Sequence, residues 1–158
     1  MMERWQAWIA AFDKAVETDD WQELDQFLTP DVTYTVSGVP FACSLAGRAA
    51  VLGGFRKSIA NFDRHFDQRW WFGVGVRVFD PGTVTARAMG VYRLGDKPLL
   101  HFSARSMWRF EGDRIVAMND WYDLAESDVQ NALAWLGEHA PDLDASYEQG
   151  NSDERIHR

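Results

Sequence analysis

HFDQRWWFGVGVRVFD, residues 65–80, is the first of four strand patterns that follow one another with only turns between them. The turns contain DPG, GDKP and EGD, which are typical of chain reversals. The other three patterns are TVTARAMGVYRLG (83–95), LLHFSARSMWRFEG (99–112) and RIVAMNDWYD (114–123). We therefore predict a meander of four antiparallel strands. Gly73, Gly75 and Gly90 within these patterns predict bends or bulges that curl the sheet.

The first half of the chain is mainly helical in pattern. Apolar residues recur at helical spacing over residues 3–17 and again over residues 47–63. Other segments predict a short helix at 21–28, strands at 31–38 and 41–47, and a last helix at 127–139 with Ser127 as its N-cap. Helices on one face of a curved antiparallel sheet give a conical α+β fold that encloses a pocket, in one domain spanning residues 1–140. Residues 141–158 form a polar tail that we expect to be partly disordered.

The composition excludes several classes of protein. The chain has 158 residues, of which 46% are hydrophobic and 14% aromatic, which is enough for one domain with a sizeable core. Its net charge of −8 argues against a nucleic-acid partner. No segment has the pattern of a signal peptide or a membrane span, so we expect a cytoplasmic protein without membrane contact. Cys43 is the only cysteine and the histidines lack ligand spacing, so we expect neither a metal site nor a cofactor.

Asp120 occupies an unusual position in the last strand pattern. Alternate residues of a strand face the same side, so Asp120 shares its side with Val116, Met118 and Tyr122. A carboxylate among apolar side chains is costly to bury unless it is paired. The strand phase therefore predicts either a general base in a pocket or a member of a structural ion pair.

Three motifs occur in order along the chain: AVETDDWQELDQFLTPDVTY (15–34), the GR that opens the helix at 47–63, and FEGDRIVAMNDWYD (110–123). Together they resemble the SnoaL-like branch of the nuclear transport factor 2-like superfamily. The resemblance covers residues 4–124 and implies a conical α+β barrel, often dimeric through the outer face of its sheet. It implies no single reaction, because its members include isomerases, dehydratases, cyclases, epoxide hydrolases and proteins that only bind.

Two enzyme classes of this superfamily match the chain poorly. The aspartate and tyrosine that ketosteroid isomerases use would fall at Val36 and Phe12, which can neither move a proton nor donate a hydrogen bond. Scytalone dehydratases have a histidine that matches His65, but their tyrosine would also fall at Val36. Tyr34 lies two residues earlier, on the same side of the strand.

Two other classes have an aspartate that matches Asp120. Limonene epoxide hydrolases use an arginine between two aspartates. The arginine matches Arg87, but Met89 stands where the second aspartate would be. Without that carboxylate the paired acid and base cannot both operate. SnoaL-type polyketide cyclases rely on an aspartate at the Asp120 position to deprotonate an activated carbon, and this match is the best preserved.

These matches and the strand phases predict the site. The catalytic candidates are Asp120, His65 and Arg87. Arg87 either holds Asp120 ionised, or binds an anionic ligand, or pairs with an acid on a neighbouring strand. The expected ligand-binding residues are Tyr34, Phe12, Met89, Arg105, Met118 and Tyr122.

The other face of the sheet is predicted to be apolar as well. Trp121 and Asn119 lie opposite Asp120, and we expect Trp108 and one of Trp70 and Trp71 to join them. An apolar outer face needs a cover, and a second copy of the chain is the natural one, so we expect a homodimer.

Two functions are compatible with the sequence. In the first, the protein binds a small apolar, oxygen-bearing molecule and acts as a cofactor-free isomerase, cyclase, dehydratase or hydrolase, with Asp120 as general base. In the second, it is a non-catalytic module for small-molecule binding or dimeric interaction.

Overall fold

The computed structural model of the chain describes residues 1–38 and 40–147, and these form an α+β unit, as predicted. The helices are α1 (Met2–Thr18), α2 (Arg48–Asn61) and α3 (Ser127–His139), and the strands are β1 (Leu28–Ser37), β2 (Cys43–Ala46), β3 (Gln68–Phe79), β4 (Thr83–Arg93), β5 (Leu100–Glu111) and β6 (Arg114–Trp121). The short helix predicted at 21–28 is a 3₁₀ turn over Gln22–Phe27. Within these described residues, no helix has both the length and the hydrophobicity to cross a membrane.

The six strands form one sheet in the order β2-β1-β6-β5-β4-β3. Strands β3 to β6 form the antiparallel meander that the sequence predicts. Strands β1 and β6, however, are parallel neighbours, with Tyr34 beside Met118 and Val36 beside Asp120. The sheet is therefore mixed rather than wholly antiparallel. Local strand patterns cannot reveal such a pair, because its two strands are far apart in the sequence and no hairpin turn joins them.

Strand β3 contains one of the irregularities in the strand pairing of the sheet. The pairing of β3 with β4 shifts between Gly73 and Gly75, which confirms the predicted irregularity. Gly90 on β4 acts differently. A Cβ at this position would come within 2.9 Å of the indole ring of Trp71, so only glycine lets that ring lie against the strand.

Helices α1 and α2 cover the inner face of the curved sheet. α1 buries Trp8 and Ala15, and α2 buries Val51 and Phe55, at the helical spacing that an amphipathic stripe requires. The ring of Phe12 packs edge-on against that of Phe55, with 5.2 Å between centroids. Large rings meet in this way between the helices and the sheet, and they surround an interior cavity.

Helix α3 covers part of the edge of β5. Strand β6 pairs with β5 only from Arg105 onward, so none of the described strands neighbours the preceding residues of β5 on that side. The carboxylate of Asp128 on α3 accepts a hydrogen bond from the backbone N–H of Ser103 at 2.7 Å. An edge that would otherwise attract another strand is thereby covered. The predicted cap Ser127 is the first helical residue, and Glu126 occupies the N-cap position without a side-chain cap bond.

The segment after α3, residues 140–147, packs back onto α2, and we call it the C-terminal strap. Lys57 Nζ donates to Ser146 Oγ at 2.7 Å and lies 3.5 Å from the carboxylate of Asp144. Ala145 is buried, and Tyr147 reaches the interior cavity. The beginning of the predicted tail is thus packed against the domain. The remainder of that predicted disordered tail, residues 148–158, lies outside the described residues.

Candidate functional site

A cavity of about 290 Å³ lies between the N-terminal helices and the inner face of the sheet. This volume is near the lower end of the range for ligand pockets, roughly 300–1,000 Å³. Its wall is mainly aromatic, with Trp8, Phe12, Phe55, Trp71, Phe102 and Trp108 among its members. Polar side chains interrupt this wall in two clusters, and such an apolar cavity with a few polar groups is typical of a small-molecule site.

Asp120 lies in the cavity wall on β6, between β1 and β5. The hydroxyl of Tyr34 donates to Asp120 Oδ2 at 2.7 Å, and Ser106, opposite Asp120 on β5, is a second hydrogen-bond partner. Burial raises the pKa of Asp120 above its usual range, and the two hydrogen bonds only partly oppose this effect. Among the described residues, no cationic side chain forms an ion pair with Asp120. The carboxylate is therefore held by neutral donors and is not part of a structural ion pair.

Tyr147 extends this cluster. Its hydroxyl lies within hydrogen-bonding reach of Tyr34 and Ser58, and the centroids of the two tyrosine rings are 5.3 Å apart. Burial raises the pKa of both tyrosine hydroxyls, so both are protonated at neutral pH. We call Asp120, Tyr34, Tyr147, Ser58 and Ser106 the Asp120 cluster.

A second polar cluster lines the same cavity. Asp63 Oδ1 accepts hydrogen bonds from Arg69 Nε at 2.6 Å and from the hydroxyl of Tyr92 at 3.0 Å. The indole N–H of Trp71 donates to the Tyr92 oxygen at 3.1 Å. Burial raises the pKa of Asp63, although the adjacent guanidinium opposes this. These four residues form the Asp63 cluster, and perturbed groups inside a cavity are candidates for a functional role.

Asp13 on α1 is a third carboxylate in the wall. Partial burial raises its pKa, and the charge of Arg69 acts in the opposite direction. The described wall therefore contains three carboxylates, on Asp13, Asp63 and Asp120, and one guanidinium. When these groups are ionised the cavity has negative charge in excess, which disfavours an anionic ligand.

Five of the residues predicted for the site lie in the cavity wall: Asp120, Tyr34, Phe12, Met118 and Tyr122. The strand phase that predicted an inward Asp120 is therefore correct. Tyr34 and Met118 are neighbours across the parallel pair of β1 and β6, which aligns the two strands at the cavity.

Arg87 and Met89 lie on the outer face of the sheet, contrary to the prediction. The residues of β4 that line the cavity are Ala86 and Ala88, so the side chains between and beyond them point outward. The match to epoxide-hydrolase residues predicts Arg87 and Met89 on the inner side of β4. The curved sheet instead has small residues on its concave side there, because aromatic rings from other elements fill the space.

Arg105 also lies on the outer face, since its neighbour Ser106 faces the cavity. Arg105 and Arg87 approach the carboxylate of Glu126, at 2.9 Å and 4.0 Å. All three side chains are more than a third exposed, so these ion pairs contribute little to stability. Of the alternatives for Arg87, the pairing with Asp120 is therefore absent and Arg87 instead lies near another acid, and neither Arg87 nor Arg105 belongs to the cavity wall.

His65 lies outside the cavity as well. Strand β3 begins at Gln68, and His65 belongs to a 3₁₀ turn that precedes it. In this turn the interior positions are taken by Phe62 and Phe66, which leaves the imidazole exposed. It borders a separate shallow groove together with His139 at the end of α3.

The predicted division of the tryptophans is partly correct. Trp121 is 39% exposed on the outer face, with Asn119 on the same side. Trp71 faces the cavity, and Trp70, next to it, faces outward. Trp108, predicted on the outer face of the sheet, lines the cavity instead. It lies two residues after Ser106 on β5, so both side chains face the cavity.

The sequence analysis missed seven polar residues of the described wall: Asp13, Ser58, Asp63, Arg69, Tyr92, Ser106 and Tyr147. Tyr92 is in phase with Ala88, so the correct phase of β4 would have identified it. Asp63 lies in a 3₁₀ turn, where neither strand nor helix periodicity applies. Tyr147 follows a polar segment that has no periodic pattern, and only tertiary packing brings it into the cavity.

A family model for the SnoaL-like domain matches residues 6–118. No curated protein matches the sequence. An NTF2-like protein from Anabaena variabilis is similar in structure, with 14% identity and a TM-score of 0.58, over 77% of this chain and 88% of that chain. A LEH-like epoxide hydrolase from M. tuberculosis has 16% identity and a TM-score of 0.56, over 83% and 92% of the two chains.

A protein from Catenulispora acidiphila with a ketosteroid isomerase-like fold, solved in complex with trimethylamine, has 17% identity and a TM-score of 0.56, over 74% of this chain and 85% of that chain. At such identities the likeness concerns the fold alone. The family model, by contrast, spans well over half of the sequence and includes α2 and most of α1, the helices that cover the cavity. The chain therefore belongs to the SnoaL-like domain family.

Proposed function

We propose that the cavity binds a small, neutral, apolar molecule with a carbonyl group, and that Asp120 acts as a general base on it without a cofactor. One observation carries this proposal: Asp120 is a buried carboxylate in the wall of an apolar cavity, held by neutral donors. A raised pKa brings a carboxylate closer to the value that suits proton transfer near neutral pH.

The proposed reaction begins with the loss of a proton from a carbon beside the carbonyl. The C–H bond breaks, its electron pair forms an enolate, and the proton passes to the carboxylate of Asp120. Return of the proton to another carbon gives an isomer, while attack of the carbanion on a second carbonyl closes a ring. The hydrogen bond from Tyr34 orients the carboxylate, and we assign stabilisation of the enolate oxygen to Arg69 in the same wall.

The charge of the wall supports a neutral ligand. Three carboxylates and one guanidinium line the described cavity, so a ligand carboxylate would meet an excess of like charge. The apolar remainder of the wall favours a hydrocarbon ring or short chain. Epoxide hydrolysis, the activity in the name of the M. tuberculosis structure, has less support, because Arg87 lies outside the cavity and Met89 replaces an acid.

Hydrogen–deuterium exchange tests the proposal. A panel of neutral cyclic ketones is incubated with the protein in D₂O, exchange beside the carbonyl is followed by proton NMR, and binding is measured by tryptophan fluorescence. Asp120→Asn should bind the ketones but exchange them at least about 100-fold more slowly, as expected for loss of a general base. Arg87→Gln, on the outer face, is the matched control and should exchange at the wild-type rate.

The outcomes separate the two functions. Equal exchange by the wild type and Asp120→Asn would remove Asp120 as the base. Binding without exchange by the wild type would favour the non-catalytic module. If carboxylate analogues bound better than the ketones, the proposed class of ligand would be wrong.

We also propose that the outer face of the sheet carries a second copy of the chain. Phe72 and Met89 are direct neighbours on β3 and β4, and they are 54% and 36% exposed. Trp121 adds an exposed ring on the same face. Exposed apolar side chains in such number support an interface. The cytoplasmic location stays a prediction from the sequence.

A further inference from the structure

We propose that Asp63 is a positioning residue for Arg69, and that it holds the guanidinium of Arg69 as the donor to the carbonyl oxygen of the ligand. This inference rests on the proposed function, in which Arg69 stabilises the enolate oxygen, and it names the group on which that contact depends. It gives a role to the other members of the Asp63 cluster, which the proposed reaction does not use.

The backbone brings Asp63 and Arg69 to the same part of the cavity wall. Asp63 lies in the 3₁₀ turn between α2 and β3, where its carbonyl accepts a hydrogen bond from the backbone N–H of Phe66 at 3.2 Å. Arg69 follows on β3 in the same phase as Trp71, and both of these side chains line the cavity. The side chains of Asp63 and Arg69 are only 10% and 22% exposed. Their hydrogen bond is therefore largely shielded from water, which makes it stronger than a bond at the surface.

Each hydrogen bond of the Asp63 cluster has a direction fixed by the groups that form it. An indole nitrogen can only donate, so Trp71 donates to the Tyr92 oxygen at 3.1 Å. Tyr92 has a single O–H proton, which it donates to Asp63 Oδ1 at 3.0 Å. A guanidinium can only donate, so Arg69 Nε donates to the same oxygen at 2.6 Å. Asp63 is therefore the acceptor on which the donors from Arg69 and Tyr92 converge.

Packing fixes the groups that support Asp63. Tyr92 is buried, and its ring stacks on that of Phe102 with 5.7 Å between centroids. The indole of Trp71 lies against Gly90, where only glycine leaves room for it. These rings have little freedom to move, so the tyrosine hydroxyl holds the carboxylate of Asp63 in a defined place.

The same contacts limit the motion of Arg69. An unpaired arginine side chain samples many rotamers, and a ligand would have to order it on binding. Here the bond to Asp63 fixes Nε, and the guanidinium carbon lies 5.9 Å from the centroid of the Trp71 ring. The amino groups carry the other N–H donors of Arg69, and they are available to a ligand because Arg69 lines the cavity. A donor that is aligned before the reaction stabilises a developing negative charge better than a mobile one.

The NMR signal of a bound carbonyl tests this role. The probe is cyclohexanone enriched at its carbonyl with the NMR-active carbon isotope, since a hydrogen bond to the oxygen moves the carbon resonance downfield. The wild type should show this downfield shift on binding. Asp63→Ala and Arg69→Met should each lose most of it and should bind the ketone about 10-fold more weakly, as expected for loss of a hydrogen bond from a charged donor. The double variant should equal Arg69→Met alone, because Asp63 acts through Arg69.

A second variant and a matched control complete the experiment. Asp63→Asn retains an oxygen that can accept both hydrogen bonds, so it should fold even if Asp63→Ala does not. It holds the guanidinium without ionic attraction, so its downfield shift should be smaller than that of the wild type. Asp67→Ala is the control, because Asp67 is exposed, lies outside the described cavity wall and accepts from the backbone N–H of Gly95 at 2.6 Å. It should keep the wild-type shift and affinity.

Two results would overturn the proposal. The first is a wild-type shift in Asp63→Ala or Asp63→Asn, because the shift is measured on folded protein with ketone bound and a merely structural Asp63 would leave it unchanged. The second is a further loss in the double variant beyond that of Arg69→Met, which would show that Asp63 acts independently of Arg69.

This measurement is separate from the test of the proposed reaction, since the signal of a bound carbonyl shifts without any proton transfer. If the shift depends on Asp63 but ketone exchange does not depend on Asp120, Arg69 is positioned as proposed and the reaction is wrong. If exchange depends on Asp120 but Asp63→Ala keeps the full shift, the reaction stands and the positioning role fails.

Discussion

Replacement of Tyr34 by phenylalanine removes one hydroxyl and leaves its ring in place. Tyr34 is 3% exposed, and its ring lies 4.8 Å from that of Phe55, a contact that phenylalanine retains. The variant loses the hydrogen bond of 2.7 Å to Asp120. Such a bond contributes roughly 1.5–3 kcal/mol when the acceptor is ionised and about 1 kcal/mol when it is neutral. The cost of the substitution therefore depends on the protonation of Asp120.

The direction of this pH dependence follows from the bond itself. The Tyr34 hydroxyl favours the ionised carboxylate, so its removal raises the pKa of Asp120 beyond the increase that burial already causes. The full cost, about 2 kcal/mol, is expected above the folded-state pKa of Asp120. As the pH falls through that pKa toward the ordinary value of 3.8, the cost should decrease to about 1 kcal/mol.

Urea unfolding, followed by tryptophan fluorescence between about pH 4.5 and 8.5, measures this cost. Tyr122→Phe is the matched control, because it removes a hydroxyl from the same cavity wall, and it should stay within about 0.5 kcal/mol of the wild type. If Tyr34→Phe costs no more than this control, or the same amount at every pH, Asp120 is not an ionised carboxylate held by Tyr34.

Four other substitutions test further parts of the structure. Gly90→Ala should lower the free energy of unfolding in urea by about 1–3 kcal/mol, because its Cβ would come within 2.9 Å of an indole ring. Gly53→Ala is the contrasting variant: a Cβ at Gly53 meets no described atom within 4 Å, so alanine should stabilise α2 by about 0.5–1 kcal/mol. Arg69→Met leaves the carboxylate of Asp63 without its cation and should lower the free energy of unfolding by about 1–3 kcal/mol. Most of this loss is expected above the raised pKa of Asp63, where the carboxylate is ionised, and it should decrease as the pH falls through that pKa. Trp121→Lys should convert the proposed dimer to a monomer in light scattering, and an unchanged mass would argue against this interface.

The sequence was a good guide to the elements and to one side of the cavity. Long alternating strands predicted the meander, and the phase of β6 correctly directed Asp120 inward. Glycines in β3 predicted its irregular pairing, because only a bulge or a bend explains two such residues in a long strand. These features depend on local periodicity, which a sequence displays directly.

The remaining features depend on which strands and segments become neighbours in space. The phase of β4 was predicted wrongly because Arg87 and Met89 were placed by their match to epoxide-hydrolase residues, whereas the alanines between and before them face the cavity. Asp63 and Tyr147 belong to an irregular turn and a strap, where no period relates position to direction. Tertiary packing determines both, so a single sequence gives no signal for them.

The Tyr34–Asp120 hydrogen bond joins residues 86 positions apart, and Tyr147 lies further along the chain still. During synthesis β1 leaves the ribosome long before β6 exists. The side of β1 that pairs with β6 therefore has no partner until β6 has been synthesised. Closing so long a loop costs conformational entropy before any contact repays it, which delays the parallel pair during folding. The helices and the β3–β5 meander can form earlier from contacts closer in sequence. The carboxylate of Asp120 is therefore added late, when most residues of the described wall have been synthesised and Tyr122 and Tyr147 are still to follow.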